Sequence, residues 1–340
     1  MSKLKIVLLT LCFHIPLCYI NIKEVLNFRA LAQEKSIPIG QWSDLSFMFY
    51  SIFIVAALKR VLYFFTKDFS ERRIAVKNHP DHDARVAKVM CTQFQAIFYT
   101  LTSIFAFYMY WGHPNLYNWV SGPASTGGMF YNWPYIQFPY QKEFIMLQLG
   151  YHMHNFLELF VEKRHTSQFV QFFIHHLLTI TEIMWSYYTN NYGAAIIVLL
   201  VHDVCDIPLN LAKLMRDLDL MSTHIKILDC VFLCIPLSWL YFRIIVPFMT
   251  YLPTAYDILY THGKCCVEGI DIMNMGTCCT TLDTELGLSI NLTYKLQIGG
   301  LLIFVFLNLI WFYQIIACGV NKKMTGEYVS NYEGEKFKKE

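Results

Sequence analysis

Five side chains offer chemistry. Phe169-Val-Gln-Phe-Phe-Ile-His175-His176-Leu-Leu-Thr179 sets two histidines side by side, and His202-Asp203-Val-Cys-Asp206 follows after 25 intervening residues. Both groups lie inside long apolar runs. A charged side chain near the centre of a bilayer costs about 2.5–3.5 kcal/mol on insertion scales, so ionisable groups there face polar cavities and commonly carry function. A histidine beside a carboxylate can act as a general base, the carboxylate fixing its tautomer and stabilising the imidazolium. An imidazole can also accept an acyl group and pass it on. Three histidines and two aspartates could equally hold zinc or iron. The purely structural alternative is that they satisfy one another and keep helices in register. For any one of them that alternative is the better account, but five at one depth favour function.

The elements that carry them are hydrophobic. The chain has 340 residues, of which 55% are hydrophobic and 15% charged, with a mean hydropathy of +0.37. A soluble chain carries about 25% charged residues. The composition predicts an all-α, polytopic membrane protein. A net charge of +2, with the basic residues in short clusters between apolar runs, gives no nucleic-acid footprint. No phosphate-cradling Gly-rich loop or spaced CxxC pair occurs.

Eight apolar segments follow in order: 5–20, 45–65, 94–111, 143–161, 168–188, 192–209, 225–251 and 296–320. Most reach the ~17–25 residues that a spanning helix needs. The first, with Lys3 and Lys5 ahead of a short apolar core broken by His14 and Pro16, also suits a signal peptide. No small-x-small cleavage site follows it, which favours a retained helix.

Positive charge sets the orientation. Lys67, Arg72, Arg73, Lys77, Arg85 and Lys88 follow the second segment, Lys163 and Arg164 the fourth, Lys213 and Arg216 the sixth. Connection 112–141 has no Lys or Arg. From the second segment onward basic-rich and basic-poor connections thus alternate, which puts the basic-rich ones and the carboxyl terminus in the cytosol; the stretch between the first two segments, with Lys23, Arg29 and Lys35, fits this less well. Loop 252–295 then falls on the lumenal side with Cys265, Cys266, Cys278 and Cys279, candidates for two disulfides. Asn291-Leu-Thr293 is a glycosylation sequon on that same side. The tail ends Lys336-Phe-Lys338-Lys339-Glu340, which fits a dilysine retrieval signal of the endoplasmic reticulum.

Depth ties the polar residues together. His175, His176 and His202 each lie about seven residues, or ~10 Å, from the cytosolic end of their helices. Helical spacing aligns His202, Asp206, Asn210 and Lys213 on one stripe, with Asp203 at its edge, and His175, Thr179, Glu182 and Ser186 on another. His154 and Glu158 reach a comparable depth. A shared polar cavity opening to the cytosol is the simplest arrangement.

The run His175-His176-Leu-Leu-Thr179 … Ser186-Tyr187 … Asn190-Asn191 … His202-Asp203-x-x-Asp206 … Lys213 resembles the Lag motif of ceramide synthases, one branch of the TLC membrane family. A weaker likeness runs through Leu228–Phe232, Arg243–Pro247 and Leu307–Gln314. The resemblance implies a six-helix TLC bundle over 86–320, preceded by one or two membrane helices in 1–66 and a cytosolic basic linker at 67–85, with a cytosolic tail at 321–340. It implies a multi-pass N-acyltransferase of the endoplasmic reticulum and leaves assembly as a homo- or hetero-oligomer open. The substrates would be a fatty acyl-CoA and a sphingoid base, with membrane lipid around them and no metal or cofactor beyond the acyl-CoA co-substrate. In that reading His175, His176, His202, Asp203 and Asp206 are catalytic. Thr179, Ser186, Asn191, Asn210, Lys213, His154, Glu158 and Glu182 support substrate binding.

The chain departs from the pattern in places. Gly193 and Ala195 stand where the family usually has an arginine and then a glycine, and Asn210 stands for the usual glutamate. Thr166-Ser167-Gln168 replaces a basic-basic-acidic patch, and Glu182 occupies a normally apolar position. These changes keep two alternatives open, a non-catalytic TLC lipid sensor or transporter and a His-rich membrane metalloenzyme.

Overall fold

In lipid every backbone N–H and C=O must find its partner inside the chain, so apolar runs fold as helices. The computed structural model of this chain describes residues 3–37, 39–74, 82–111, 139–162, 168–218, 221–252, 289 and 291–325. Its long elements are α1 (Lys3–Glu34), α2 (Leu45–Arg73), α3 (His82–Tyr110), α4 (Gln141–Glu162), α5 (Phe169–Tyr188), α6 (Tyr192–Asp217), α7 (Met221–Ser238) and α8 (Asn291–Thr325). Each apolar segment of the sequence is a helix. Six of them, in α1, α2, α3, α6, α7 with its continuation, and α8, are long and apolar enough to cross a membrane. α4 and α5 fall short of that measure through their own polar side chains. α4 carries Lys142, Glu143, Glu158 and Glu162, and α5 carries Gln171, His175, His176 and Glu182. Large apolar side chains such as Phe13, Phe53, Phe64 and Phe306 are left exposed, as lipid-facing surface requires. The chain is an all-helical, polytopic membrane protein.

Several helices run past the expected extents, α3 starting at His82 among them, and two departures have a physical reason in the structure. α1 continues well past Ile20 because the polar residues beyond it find partners. Glu24 accepts hydrogen bonds from the backbone N–H of Leu292 (3.3 Å) and Thr293 (2.7 Å), and the Thr293 hydroxyl donates to Asn21 Oδ1 at 2.8 Å. Arg29 is buried, its guanidinium 4.8 Å from the Trp42 ring centroid and 5.3 Å from that of Tyr188. α7 does not run on as a regular α-helix. After Ser238 it widens into π-helical turns over Trp239–Ile245 and Pro247–Tyr251. Pro247 lacks an N–H, so the regular ladder is already interrupted there.

The chain divides into two compact units. The first comprises Met1–Ile52, Tyr108–Leu199 and Val246–Leu307, and α5 is its centre. Val7 and Leu11 of α1 and Phe156 of α4 pack around Phe169 and Phe173 of α5, and His14 of α1 meets Thr181 of α5 at 2.9 Å. α5 ends where Asn190 takes a positive φ of 56°, a left-handed turn that asparagine tolerates well. The Asn190 side chain then accepts from the Gly40 N–H at 3.2 Å, and Tyr187 donates to Asp44, which also pairs with Lys142 at 2.5 Å. The turn between α1 and α2 is thereby fastened to the end of α5.

The second unit comprises Phe53–Phe107, Leu200–Ile245 and Asn308–Glu340. α6 runs through its middle. On one flank Leu214 and Leu218 pack with Ile74 of the α2 end and Val86, Val89 and Met90 of α3. On the other, Leu209, Ala212 and Met215 pack with Val231, Phe232 and Ile235 of α7 and Ile315 of α8.

Candidate active site

His175 and His176 are consecutive on α5, and 3.6 residues per turn sends consecutive side chains about 100° apart. They therefore meet different neighbours. The His175 ring lies 5.5 Å from Phe304 of α8, centroid to centroid, and the His176 ring 6.0 Å from His152 of α4. The two rings are 5.2 Å apart, edge to face. His152 is only 8% exposed, and among the described residues neither of its ring nitrogens has a hydrogen-bond partner. A buried polar atom left unsatisfied costs about 1–3 kcal/mol. Two residues on, His154 is better provided for, with its Nε2 at 3.5 Å from Glu158.

The rest of the α5 stripe is engaged within the same unit. Thr179 returns its hydroxyl to the His175 carbonyl at 2.8 Å. Glu182 lies against Gly300 of α8, where any Cβ would strike its carboxylate. Ser186 accepts from Gln297 of α8 at 3.5 Å. Glu182 and Ser186 thus face α8, in an antiparallel register that continues to Phe304 opposite His175. Asn191 is buried and bonds the Ser186 carbonyl through its backbone N–H at 2.7 Å, while its side-chain oxygen has no partner.

In the second unit Asp206 and the His202 backbone meet at Arg243. Its Nη2 donates to Asp206 at 2.8 Å and to the His202 carbonyl at 2.9 Å, and its Nη1 reaches Asn308 Oδ1 at 3.4 Å. The guanidinium also lies 4.1 Å from the Trp239 ring centroid, and Trp239 donates to the Asn308 carbonyl at 3.0 Å. Asp203 is 3% exposed and accepts the Thr102 hydroxyl at 2.7 Å. Asn210 binds the Asp206 carbonyl at 2.8 Å, leaving its own Oδ1 unbonded, and Lys213 is half-buried one turn on. Cys205 donates to the Ser238 carbonyl at 3.3 Å.

Two residues went unassigned by sequence reasoning. His152 lies two residues from His154, and its signal in the sequence is that it makes a second histidine in the same apolar run. Arg243 entered only through the weak resemblance, yet it stands alone between Leu240 and Pro247 in apolar sequence. Such a charge announces a partner. Among the described residues no group of three or more His, Cys, Asp or Glu is arranged to hold a metal ion. Cys265, Cys266, Cys278 and Cys279, Lys163, Arg164 and the lysine-rich tail lie outside the described residues. So does the side chain of Asn291, whereas Thr293 of the same sequon is buried with its hydroxyl on Asn21 and Glu24.

Comparison with known proteins gives these histidines a context. The family described as "TLC domain" matches residues 89–317. Ceramide synthase LOH1 of Arabidopsis thaliana is 24% identical over 195 residues, covering 56% of this chain and 60% of that protein. The chain therefore spans less than two thirds of that relative's length. The family match takes in α4–α6, with the His175-His176 and His202-Asp203 pairs, and covers more than half of the chain: the protein belongs to the TLC-domain family.

Proposed function

We propose that this protein is an acyl-CoA-dependent sphingoid base N-acyltransferase, a ceramide synthase of divergent sequence. The observation that carries the reading is the half-buried His175–His176 pair on α5, its rings 5.2 Å apart, in a TLC-domain chain whose relative from Arabidopsis thaliana is a ceramide synthase. In the reaction the amine nitrogen of the sphingoid base attacks the thioester carbonyl of a fatty acyl-CoA. The C–N bond forms, the C–S bond breaks, and one proton leaves the amine while the CoA thiolate gains one. One of His175 and His176 serves as base or as acyl-accepting nucleophile, and His202 and Asp203 are assigned to the same reaction. Asp206, bound to Arg243, is the brace that supports them.

Acyl-CoA carries a large anionic headgroup that cannot enter hydrocarbon, so the site opens to the cytosol, at the side of the basic-rich connections. The tail lysines Lys336 and Lys338 return the protein to the endoplasmic reticulum. Microsomes containing the protein, given long-chain acyl-CoA and sphinganine, are expected to form the amide, and His175→Ala or Asp203→Ala to abolish it at unchanged protein level. Activity that survives both substitutions sinks the residue assignment. Stoichiometric lipid binding without turnover marks the protein as a sensor instead.

A further inference from the structure

A buried polar group on a helix face is usually explained by its partner, and His152 has none among the described residues. It is more than nine-tenths buried, both ring nitrogens are unbonded, and its ring is turned towards His176 at 6.0 Å. The Tyr151 ring packs edge-on against it at 5.4 Å. A position that served packing alone would be filled by leucine or phenylalanine without stranding two nitrogens. His154, two residues away on the same element, shows the ordinary solution, because Glu158 stands within reach of it. His152 forgoes such a partner and keeps a lone pair available beside the histidine pair.

We propose that His152, rather than His175 or His176, is the proton acceptor for the incoming amine, a fourth histidine of the acyl-transfer site beside His175, His176 and His202. This rests on the N-acyltransferase reading above. As the amine nitrogen bonds to the acyl carbon, its departing proton moves to an imidazole nitrogen of His152. It is then delivered to the sulfur of CoA as the C–S bond breaks, so the imidazole ends neutral and ready for the next turnover. The absence of a carboxylate partner suits this role. A bound carboxylate would hold the ring permanently charged or locked in one tautomer, whereas an unbonded imidazole can take a proton on one nitrogen and release it from either. The titratable groups around it are His176 and His175 on α5, with Tyr151, His154 and Glu158 on its own helix.

The same observation makes the test clean. With no hydrogen bond to lose, His152→Phe removes both nitrogens while filling the same space, so stability in detergent should be kept. In the acyl transfer assay kcat is expected to fall by about 10²-fold, the lower range for loss of a general base. KM for acyl-CoA stays unchanged, and the remaining rate climbs with pH as hydroxide replaces the missing acceptor. If the phenylalanine variant does not accumulate, His152→Gln carries the same measurement with a polar side chain of similar reach. Wild-type kcat and an unaltered pH profile in the variant, alongside an inactive His176→Ala, overturn the proposal and leave the acyltransferase reading intact. A wild-type protein that forms no amide from any acyl-CoA and sphingoid base overturns both.

Discussion

Arg243 decides what the aspartates can do. Its guanidinium is only 4% exposed and carries Asp206, the His202 carbonyl and Asn308 at once. Removing one partner of a buried ion pair costs about 3–5 kcal/mol, because the other charge is left stranded. Arg243→Ala should therefore give a protein that aggregates on mild heating in detergent. Arg243→Lys should rescue little, since an ammonium cannot span three acceptors and lie flat on Trp239. Thermal scanning of the two variants beside Asp206→Asn reads this directly. Asp203 is held more lightly, by the Thr102 hydroxyl. Thr102→Val keeps the shape and removes that donor, so amide formation should drop by about tenfold, in line with a hydrogen bond to a charged group worth about 1.5–3 kcal/mol. The five candidate residues were legible because ionisable groups in apolar sequence declare themselves by cost. Their partners were not. Thr102 is 101 positions from Asp203 and Asn308 is 65 from Arg243, and no spacing rule reaches across such separations.

Among the elements, two glycines report on helix contacts in opposite ways. At Gly300 an added Cβ would meet the Glu182 carboxylate, the far end of a flexible side chain. Gly300→Ala should lower stability, and Glu182→Ala in the same chain should restore it. At Gly150 the obstruction includes the Ser51 carbonyl carbon at 3.0 Å and the Ile52 nitrogen at 3.1 Å, which are backbone. Gly150→Ala should destabilise with no rescue from Ser51→Gly. Protein yield after detergent extraction, compared across the single and double variants, separates the two cases. The apolar runs announced all of the helices, since hydropathy is a property of local sequence. The extension of α1 was hidden because Asn21, Glu24 and Arg29 look like the end of a membrane segment until their partners are known. The π-helical turns after Ser238 were hidden too, because the residues that widen them form an ordinary apolar run. They carry both Trp239 and Arg243, and such turns recur at functional sites.

For the molecule as a whole, the alternation of basic-rich and basic-poor connections predicts sidedness. A reporter inserted in 75–81 should be accessible from the cytosol, and one in 112–138 only after the membrane is opened. Protease protection in intact microsomes makes that comparison, and reversal of either result would remove the cytosolic mouth on which acyl-CoA access depends. Composition was enough for the class, an all-helical membrane protein, and the orientation drawn from the charge pattern is what the protease comparison tests. The division into two compact units was invisible in the sequence, because each unit is assembled from three separated stretches.

The clasp of Asn21 and Glu24 on the start of α8 also dictates the order in which the protein can be completed. Glu24 and Thr293 are 269 positions apart. At roughly 5–20 residues per second of synthesis, the early helix waits on the order of tens of seconds for its partner to emerge from the ribosome. Throughout that time an amide and a carboxylate sit in the membrane without their final company. A nascent chain that stops before Asn291 never leaves that condition. It presents to membrane quality control a first helix that cannot be fastened, and it should be short-lived however well its middle helices have formed.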